Sequence, residues 1–186
     1  MKIILLIAIM YLEFSFLEVF WHKVIMHNKP DSFIRRWGIY DDTHIKHHLS
    51  EANDMYSKKG HDDDLHFEYW DDLKYANLIV FIIWYYTIQI FYSVPWYYVL
   101  LLSFIVMVIY NIIYDELHYS IHKIDECEYK DNFIFTWLYK NHKIHHLVKG
   151  ENKGNYNILC PGADHILGLY NEKVKPLSKP LSKKLV

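Results

Sequence analysis

Residues 75–114 read YANLIVFIIWYYTIQIFYSVPWYYVLLLSFIVMVIYNIIY, and this stretch decides the fold. Its two apolar halves, 75–92 and 96–114, each approach the roughly 20 residues that an α-helix needs to cross a hydrocarbon core. Only Ser93, Val94 and Pro95 separate the halves, so the chain must turn back as a helical hairpin. Trp and Tyr at the turn suit the interface between lipid and water.

A third apolar stretch lies near the N-terminus, where residues 3–21 read IILLIAIMYLEFSFLEVFW. A cleaved signal peptide is the alternative, but the stretch lacks a small-x-small cleavage site and is rich in bulky aromatics. The alternative for all three stretches is the core of a soluble bundle, which the nearly uninterrupted apolar run of the hairpin disfavours. The sequence therefore predicts an all-α integral membrane protein with about three transmembrane helices.

Three crossings place the polar segments 22–74 and 115–186 on the same side of the membrane. These segments carry eight and eleven of the 20 basic residues, which indicates the cytosolic side. All 13 histidines lie in them too, so we expect a cytosolic histidine-rich helical cap. We expect a membrane domain over 1–172 and a basic, flexible cytosolic tail over 173–186. The tail ends in KKLV, which resembles a di-lysine signal for the endoplasmic reticulum; a generic basic tail is the alternative.

Composition excludes several classes of function. The formal net charge is −2, so the chain is not a polycation that binds nucleic acid. Cys127 and Cys160 form no CxxC pair, which disfavours a disulfide framework or a cysteine-ligated zinc site. The chain contains neither GxGxxG nor GxxxxGK[ST], the loops that bind nucleotide phosphates.

Ten of the 13 histidines fall into four short clusters. Positions i, i+3 and i+4 share one face of a helix, so each HxxHH triplet can direct three imidazoles to a common centre, and an HxxxH pair can direct two. His22 and His27 are about 140° apart on an ideal helix. Both can join only if the helix distorts there or if they serve different metals. The clusters are HKVIMH (His22, His27), THIKHH (His44, His47, His48), HYSIH (His118, His122) and NHKIHH (His142, His145, His146).

Ten neutral imidazoles are donors for a Lewis acid, and they are too many for one ion. We therefore expect two metals, each with about five nitrogens, or with four and an open position. The chain has no ExxH pair of the soluble di-iron carboxylate bundles and no HExxH of the zinc hydrolases. Imidazole suits iron and oxygen activation, although zinc accepts it as well. We interpret His61, His66 and His165, outside the clusters, as ordinary histidines.

The ordered motifs HxxxxH, HxxHH, HxxxH and HxxHH resemble the fatty acid hydroxylase superfamily of integral-membrane di-iron enzymes. Their spacing is most similar to that of the fatty acid 2-hydroxylase branch, and the stretch VKGENKGNYN also resembles carotenoid hydroxylases. The stretch 154–170, GNYNILCPGADHILGLY, is similar to the closing stretch of the superfamily, with Asn155, Tyr156, Asp164 and Gly168 in its places. The resemblance covers roughly 13–170.

The resemblance implies two Fe ions held by the ten clustered histidines, with zinc possible in the purified protein, and O2 as co-substrate. It implies hydroxylation of an apolar lipid C–H bond, most closely in a fatty acid or fatty-acyl (sphingo)lipid. A sterol desaturase or methyl oxidase and a carotenoid ring hydroxylase stay as alternatives, and a membrane metal-binding or transport protein is the non-enzyme alternative. Electrons would come from an external donor such as cytochrome b5 with its reductase or a ferredoxin.

Several side chains are candidates for orienting the imidazoles from outside the ligand set. Asp115 precedes His118 by three positions, and Glu18 lies one helical turn before His22. The resemblance adds Asn155, Tyr156 and Asp164.

Overall fold

The computed structural model describes residues 1–27, 32–33, 44, 47–48, 70–148 and 153–173. Within these residues the chain is all-α, with no β-strand, so the all-α part of the predicted fold class is confirmed for this part of the chain. The acidic runs at 62–64 and 71–72, His61, His66 and the terminal KKLV lie outside the described residues or side chains. The predicted tail lies outside them as well, apart from Lys173.

Helix α1 (Lys2–Phe20) is apolar along most of its length and passes directly into one turn of π-helix, Trp21–Met26. In a π-helix the backbone hydrogen bond joins residue i+5 to residue i. The structure shows this bond between the His27 N–H and the His22 carbonyl, at 3.1 Å. The distortion that the HxxxxH spacing required is therefore present at the end of α1.

The hairpin consists of α2 (Trp70–Phe91) and α3 (Trp96–His122). The two helices pack against each other and against α1 around a buried apolar core. A polar contact also joins α1 to α2, because the Thr87 hydroxyl donates to Glu13 Oε1 at 2.5 Å. The core residues are Leu6 and Phe14 of α1, Val80, Trp84 and Ile88 of α2, and Val99 and Met107 of α3.

Helix α4 (Phe133–Leu147) carries the last histidine cluster. It begins after Asn132, whose side-chain oxygen accepts hydrogen bonds from the N–H groups of Ile134 and Phe135. This is an N-cap, which satisfies amide groups that the first turn of a helix leaves unpaired. A second apolar core then joins α4 to the end of α3 and to the segment that follows, through Tyr114, Ile121, Cys127, Phe135, Leu138 and Ile158.

The last described segment, 153–173, is mostly extended chain with one short helix, α5 (Ala163–Ile166). It returns to α1, where Val19, Tyr156 and Ala163 form a small buried cluster. Asn155 adopts a left-handed backbone conformation at φ 56°, which asparagine tolerates better than most residues. This segment therefore links the end of α4 to the end of α1.

Two helices are long and apolar enough to cross a membrane, Lys2–Met26 and Trp96–His122. Only 28% and 17% of their most apolar windows are buried inside the protein, whereas a core helix of a soluble protein is mostly buried. The apolar part of α2, Tyr75–Phe91, is shorter. The third predicted crossing and the cytosolic position of the histidines stay predictions.

Candidate metal centre

Four elements bring the ten clustered histidines to one place. The π-turn presents His22 and His27, the end of α3 presents His118 and His122, and α4 presents the last cluster. His44, His47 and His48 are also helical and pack against the others. Eight of the ten rings are fully buried, with at most 2% of their surface exposed, as a ligand set would be and as isolated surface histidines would not. The eight are His22, His44, His47, His118, His122, His142, His145 and His146.

The ten imidazoles divide into two groups of five that could each hold a metal ion. Within each group one ring nitrogen per residue lies within 4.8 Å of the others. The first group is His22, His27, His44, His48 and His145, and the second group is His47, His118, His122, His142 and His146.

Each HxxHH triplet is shared between the two groups, which corrects the prediction of one common centre per triplet. The first and last histidines of a triplet, at i and i+4, join one group, and the middle histidine joins the other. The reason is geometric, because positions i and i+4 lie one above the other whereas i+3 is rotated to their side. The sharing makes the two groups neighbours, and the His48 and His146 rings stack with centroids 4.0 Å apart.

The π-turn explains how His22 and His27 both reach the first group. In an α-helix their spacing would put them on different faces, but one π-turn brings residues five apart close together. Their rings stack with centroids 5.1 Å apart. Of the two arrangements left open by the sequence, a distorted helix and separate metals, the structure has the distorted helix.

Two backbone carbonyls fix the proton positions of two rings in the first group. His22 Nδ1 lies 2.6 Å from the Tyr156 carbonyl oxygen, and His145 Nδ1 lies 2.7 Å from the Gly154 carbonyl oxygen. A carbonyl only accepts hydrogen bonds, so both Nδ1 atoms must carry the proton. In a neutral imidazole the lone pair is then on Nε2, which in both residues faces the other rings.

Within the first group the ring nitrogens are closer together than their protons can explain. Five pairs of Nε2 atoms lie 3.0 to 3.1 Å apart. Two of the five rings have no proton on Nε2, so at most three N–H donors serve five contacts. At least two contacts must therefore bring together two lone pairs or two N–H groups. A cation at the centre would accept all five lone pairs and remove this conflict.

The spacing itself fits a transition metal. An imidazole nitrogen binds such an ion at about 2.0–2.1 Å, and two ligands at right angles are then about 3.0 Å apart. The Nε2 atoms of the first group have this spacing. In the second group His142 Nε2 lies 3.1 Å from His122 Nε2 and 3.0 Å from His146 Nε2. Both groups therefore fit one ion each, in agreement with the predicted pair of metals.

Burial keeps these imidazoles neutral and ready to bind. It lowers the pKa of six of them well below the usual value, and neighbouring imidazoles lower it further. Burial also lowers the pKa of His27. Neutral nitrogen is the form that ligates a metal. The six are His44, His47, His48, His142, His145 and His146.

The residues predicted to orient the imidazoles differ from one another in what they contact. Tyr156 supplies the carbonyl that holds His22, and its ring packs against His22, His27 and His145. The contacts of Glu18 are to Tyr110 and to the segment 157–160. The half-buried Asp115 lies on α3, three residues before His118, and its role stays a prediction.

The side chains of Asn155 and Asp164 form hydrogen bonds within the last segment. The Asn155 side chain pairs with the backbone N–H and carbonyl of Asn171, and Asp164 Oδ2 accepts from the Asn157 N–H at 2.6 Å. Gly154, Asn157 and Ser15 also form contacts here, and the sequence did not single them out. Ser15 and Glu18 are polar, three residues apart and thus on one face of an otherwise apolar helix, a pattern that could have indicated a buried partner there.

A narrow apolar cavity of about 80 Å³ adjoins the first group. It lies between α1, α2 and α3, and its wall includes His22 and Met26 at the end nearest the histidines. Phe14, Val80 and Met107 line it farther along the helices. An apolar molecule in this cavity would therefore contact a member of the candidate ligand set.

No protein-family model, no curated protein and no solved structure matches this chain. The resemblance to the fatty acid hydroxylase superfamily therefore stays a prediction, and functional conclusions rest on the geometry of the two histidine groups.

Proposed function

We propose that this protein is a membrane-bound di-iron oxygenase that hydroxylates an apolar lipid C–H bond, with O2 as co-substrate and electrons from an external donor. The observation that carries the proposal is the pair of adjacent five-imidazole groups, with ring nitrogens at the spacing of ligands around one ion. Two irons in an all-nitrogen setting suit oxygen activation. Five imidazoles around an octahedral ion leave one position for a further ligand.

The chain's own residues would perform binding, orientation and exclusion of water. The Tyr156 and Gly154 carbonyls hold the Nδ1 protons of His22 and His145, so that both Nε2 atoms stay available as ligands. The complete burial of eight rings keeps bulk water away from the two groups. The apolar cavity would hold the part of the substrate next to His22.

The cavity favours a fatty acid or fatty-acyl lipid over a ring substrate. An apolar cavity of about 150 Å³ binds benzene, and this one is smaller, at about 80 Å³. A single methylene chain is narrow enough to enter, whereas a sterol nucleus or a carotenoid ring would require the helices to move apart. Sterol desaturation and carotenoid hydroxylation are therefore the second candidate functions, and they would use the same di-iron chemistry.

The proposal includes insertion in the membrane by three helices, with the histidine groups at the cytosolic rim in the endoplasmic reticulum. It is supported by the apolar residues on the outside of these helices, such as Ile7, Tyr86 and Ile112, which are 60%, 67% and 63% exposed. Contiguous exposed apolar surface of this kind marks a membrane-contacting face. Cytochrome b5 with its reductase, or a ferredoxin, is the proposed electron donor.

The proposal is tested by lipid profiling in a membrane host that supplies a reductase. The wild type, His145→Ala and His165→Ala are expressed at equal levels, and total lipids are compared by mass spectrometry. His145 belongs to the first group, whereas His165 is exposed and stacks on Tyr170, so it is the matched control. We expect new hydroxylated lipids with the wild type and His165→Ala, and none with His145→Ala.

Metal analysis of the purified wild type separates the alternatives. Two iron equivalents per chain together with the hydroxylated products support the oxygenase. Bound metal with lipid profiles identical to those of the empty host would favour the metal-binding or transport protein. Zinc in place of iron, also without products, would contradict the oxidative chemistry.

A further inference from the structure

The segment 154–171, here named the strap, contacts the histidines of the first group. Its Tyr156 and Gly154 carbonyls accept from His22 and His145. The Tyr156 ring packs against His22, His27 and His145, with centroids 5.2 to 5.8 Å apart. Each of these contacts is to a member of the first group.

The strap is attached to α1 through one buried carboxylate. Glu18 accepts four hydrogen bonds, from the Tyr110 hydroxyl at 2.7 Å, the Asn157 side chain at 2.9 Å, and the backbone N–H groups of Leu159 and Cys160 at 2.9 and 3.0 Å. Three of the four donors belong to the strap. Each oxygen of Glu18 accepts two hydrogen bonds. A side chain that carries a donor group at this position would therefore leave some of these four contacts unpaired.

Further hydrogen bonds tie the strap to α1 and to itself. Ser15 Oγ donates to the Cys160 carbonyl at 2.6 Å and accepts from the Ala163 N–H at 2.9 Å. Asn157 and Asp164 exchange two bonds, since Asp164 Oδ2 accepts from the Asn157 N–H and the Asn157 side-chain oxygen accepts from the Asp164 N–H. These bonds hold the strap in one conformation, and Glu18 and Ser15 fix its position against α1.

We propose that the strap positions the ligands of the first metal group, and that Glu18 is the positioning residue that holds the strap against α1. This inference rests on the proposed metal role of the two histidine groups. Glu18 lies one helical turn before His22 on α1, and it also binds the strap residues next to Tyr156. Through the strap it thereby fixes the Tyr156 carbonyl, which orients the His22 ring. Loss of Glu18 should weaken the first metal site more than the second.

The first test compares Glu18→Gln with Glu13→Gln. A glutamine at position 18 replaces one acceptor oxygen with an NH2 group, which faces donors and cannot pair with them. Glu13 is the matched control, because it lies on the same helix but accepts from Thr87 of α2. Purified proteins are loaded with Fe²⁺ without oxygen, and bound iron is titrated against a chelator. We expect two equivalents in the wild type and in Glu13→Gln. In Glu18→Gln one equivalent should bind roughly 10- to 100-fold more weakly.

Mössbauer spectra of the ⁵⁷Fe-loaded proteins provide a readout that general loosening of the fold would not produce. We expect two ferrous components in the wild type, with one of them changed in Glu18→Gln and the other retained. Circular dichroism identifies the variants that remain folded. If a folded Glu18→Gln protein bound both irons equally more weakly, or bound both as tightly as the wild type, the inference would be overturned while the proposed function stands.

A second pair of variants tests the strap without changing Glu18. A Cβ at Gly154 would meet the Leu169 carbonyl oxygen at 1.9 Å, so Gly154→Ala must shift the strap where Gly154 and Leu169 meet. The Gly154 carbonyl at this point accepts from His145. Gly168→Asn is the control in the same strap, because a Cβ there meets nothing within 4 Å and asparagine tolerates the left-handed backbone at φ 67°. Weaker binding of one of the two irons in Gly154→Ala, and in that variant alone, supports the inference. Equal iron affinities in the two variants contradict it. A wild type that binds no iron would overturn the proposed function and this inference together.

Discussion

Each imidazole in a metal centre must direct a lone pair inward and place its remaining N–H outward. For His22 and His145 the outward N–H meets a backbone carbonyl of the strap, at 2.6 and 2.7 Å. A carbonyl suits this role because it does not ionise and cannot donate, so the ring keeps one tautomer at any pH at which the protein is folded. The residues that fix the centre therefore include main-chain groups, which substitutions of Tyr156 side-chain atoms alone would not remove.

Asp164 gives a prediction at the scale of one residue. Burial raises the pKa of the Asp164 carboxyl to about 6, although the hydrogen bond from the Asn157 N–H opposes the rise. In the unfolded chain the pKa is about 3.9. The folded protein holds this proton more tightly, so the contribution of Asp164 to the free energy of unfolding is full below about pH 4 and is lost as the pH rises to about 6.

The measurement compares the wild type with Asp164→Asn, which cannot ionise but keeps an acceptor for the Asn157 N–H. We expect Tm of metal-free Asp164→Asn to rise relative to that of the wild type between about pH 4 and 6, and the difference to stay constant above that range. Because both proteins carry the same histidines, their titration cancels to first order in the comparison. A difference in Tm that is constant across the whole range would show that folding does not raise the pKa of Asp164.

At the scale of elements, helix α4 supplies histidines to both groups, so its stability bears on the whole candidate centre. Its start depends on Asn132, whose side chain accepts from Ile134 and Phe135. We expect Asn132→Ala to lower the free energy of unfolding of the metal-free protein by about 1 kcal/mol, and Asn132→Asp to preserve it. The exposed neighbour Asp131 is the control, and Asp131→Ala should change little. Chemical unfolding measures the difference, and equal losses in both alanine variants would contradict the capping role.

The elements also show what the sequence could and could not predict. The ten histidines that come together, the hairpin turn at Ser93–Pro95 and the position of Tyr156 beside them were all accessible from spacing and from the resemblance. The division of each HxxHH triplet between two groups could not be predicted from the sequence. Positions i, i+3 and i+4 share a helix face that is broad enough to serve either one metal or two. The five-residue spacing of His22 and His27 indicated a distortion, but only the backbone bond from His27 to His22 identifies it as a π-turn.

The buried role of Glu18 could not be read from the sequence either. A carboxylate on an apolar helix one turn from His22 is equally compatible with a bond to the imidazole and with a bond elsewhere. Its actual partners, Asn157, Leu159 and Cys160, are about 140 residues away along the chain. These hydrogen bonds depend on the path of the strap through the fold, and the spacing of neighbouring residues in the sequence does not predict that path.

At the scale of the whole molecule, apolar and polar groups are separated along the helix axes. The hairpin end and the outer faces of the three long helices expose large apolar side chains, such as Ile90 at 79%. The buried polar residues concentrate at the opposite end, around the two histidine groups and the strap. In α3 the helix from the turn after Pro95 to the candidate ligand His122 comprises 27 residues. This helix is about 40 Å long, which exceeds a hydrocarbon core of about 30 Å.

This length predicts that the hairpin turn and the histidine end lie on opposite sides of the membrane. Single cysteines are placed by Ser93→Cys in the turn and by Asp131→Cys beside α4, in a background with Cys127 and Cys160 changed to alanine. In sealed vesicles with the cytosolic face outward, we expect a membrane-impermeant maleimide to label Asp131→Cys at once, and Ser93→Cys only after permeabilisation. Detergent-solubilised protein is the control, in which both positions should react. Equal labelling of both in sealed vesicles would show that α2 and α3 do not cross, and a metal centre at the cytosolic rim would then have no support from α3.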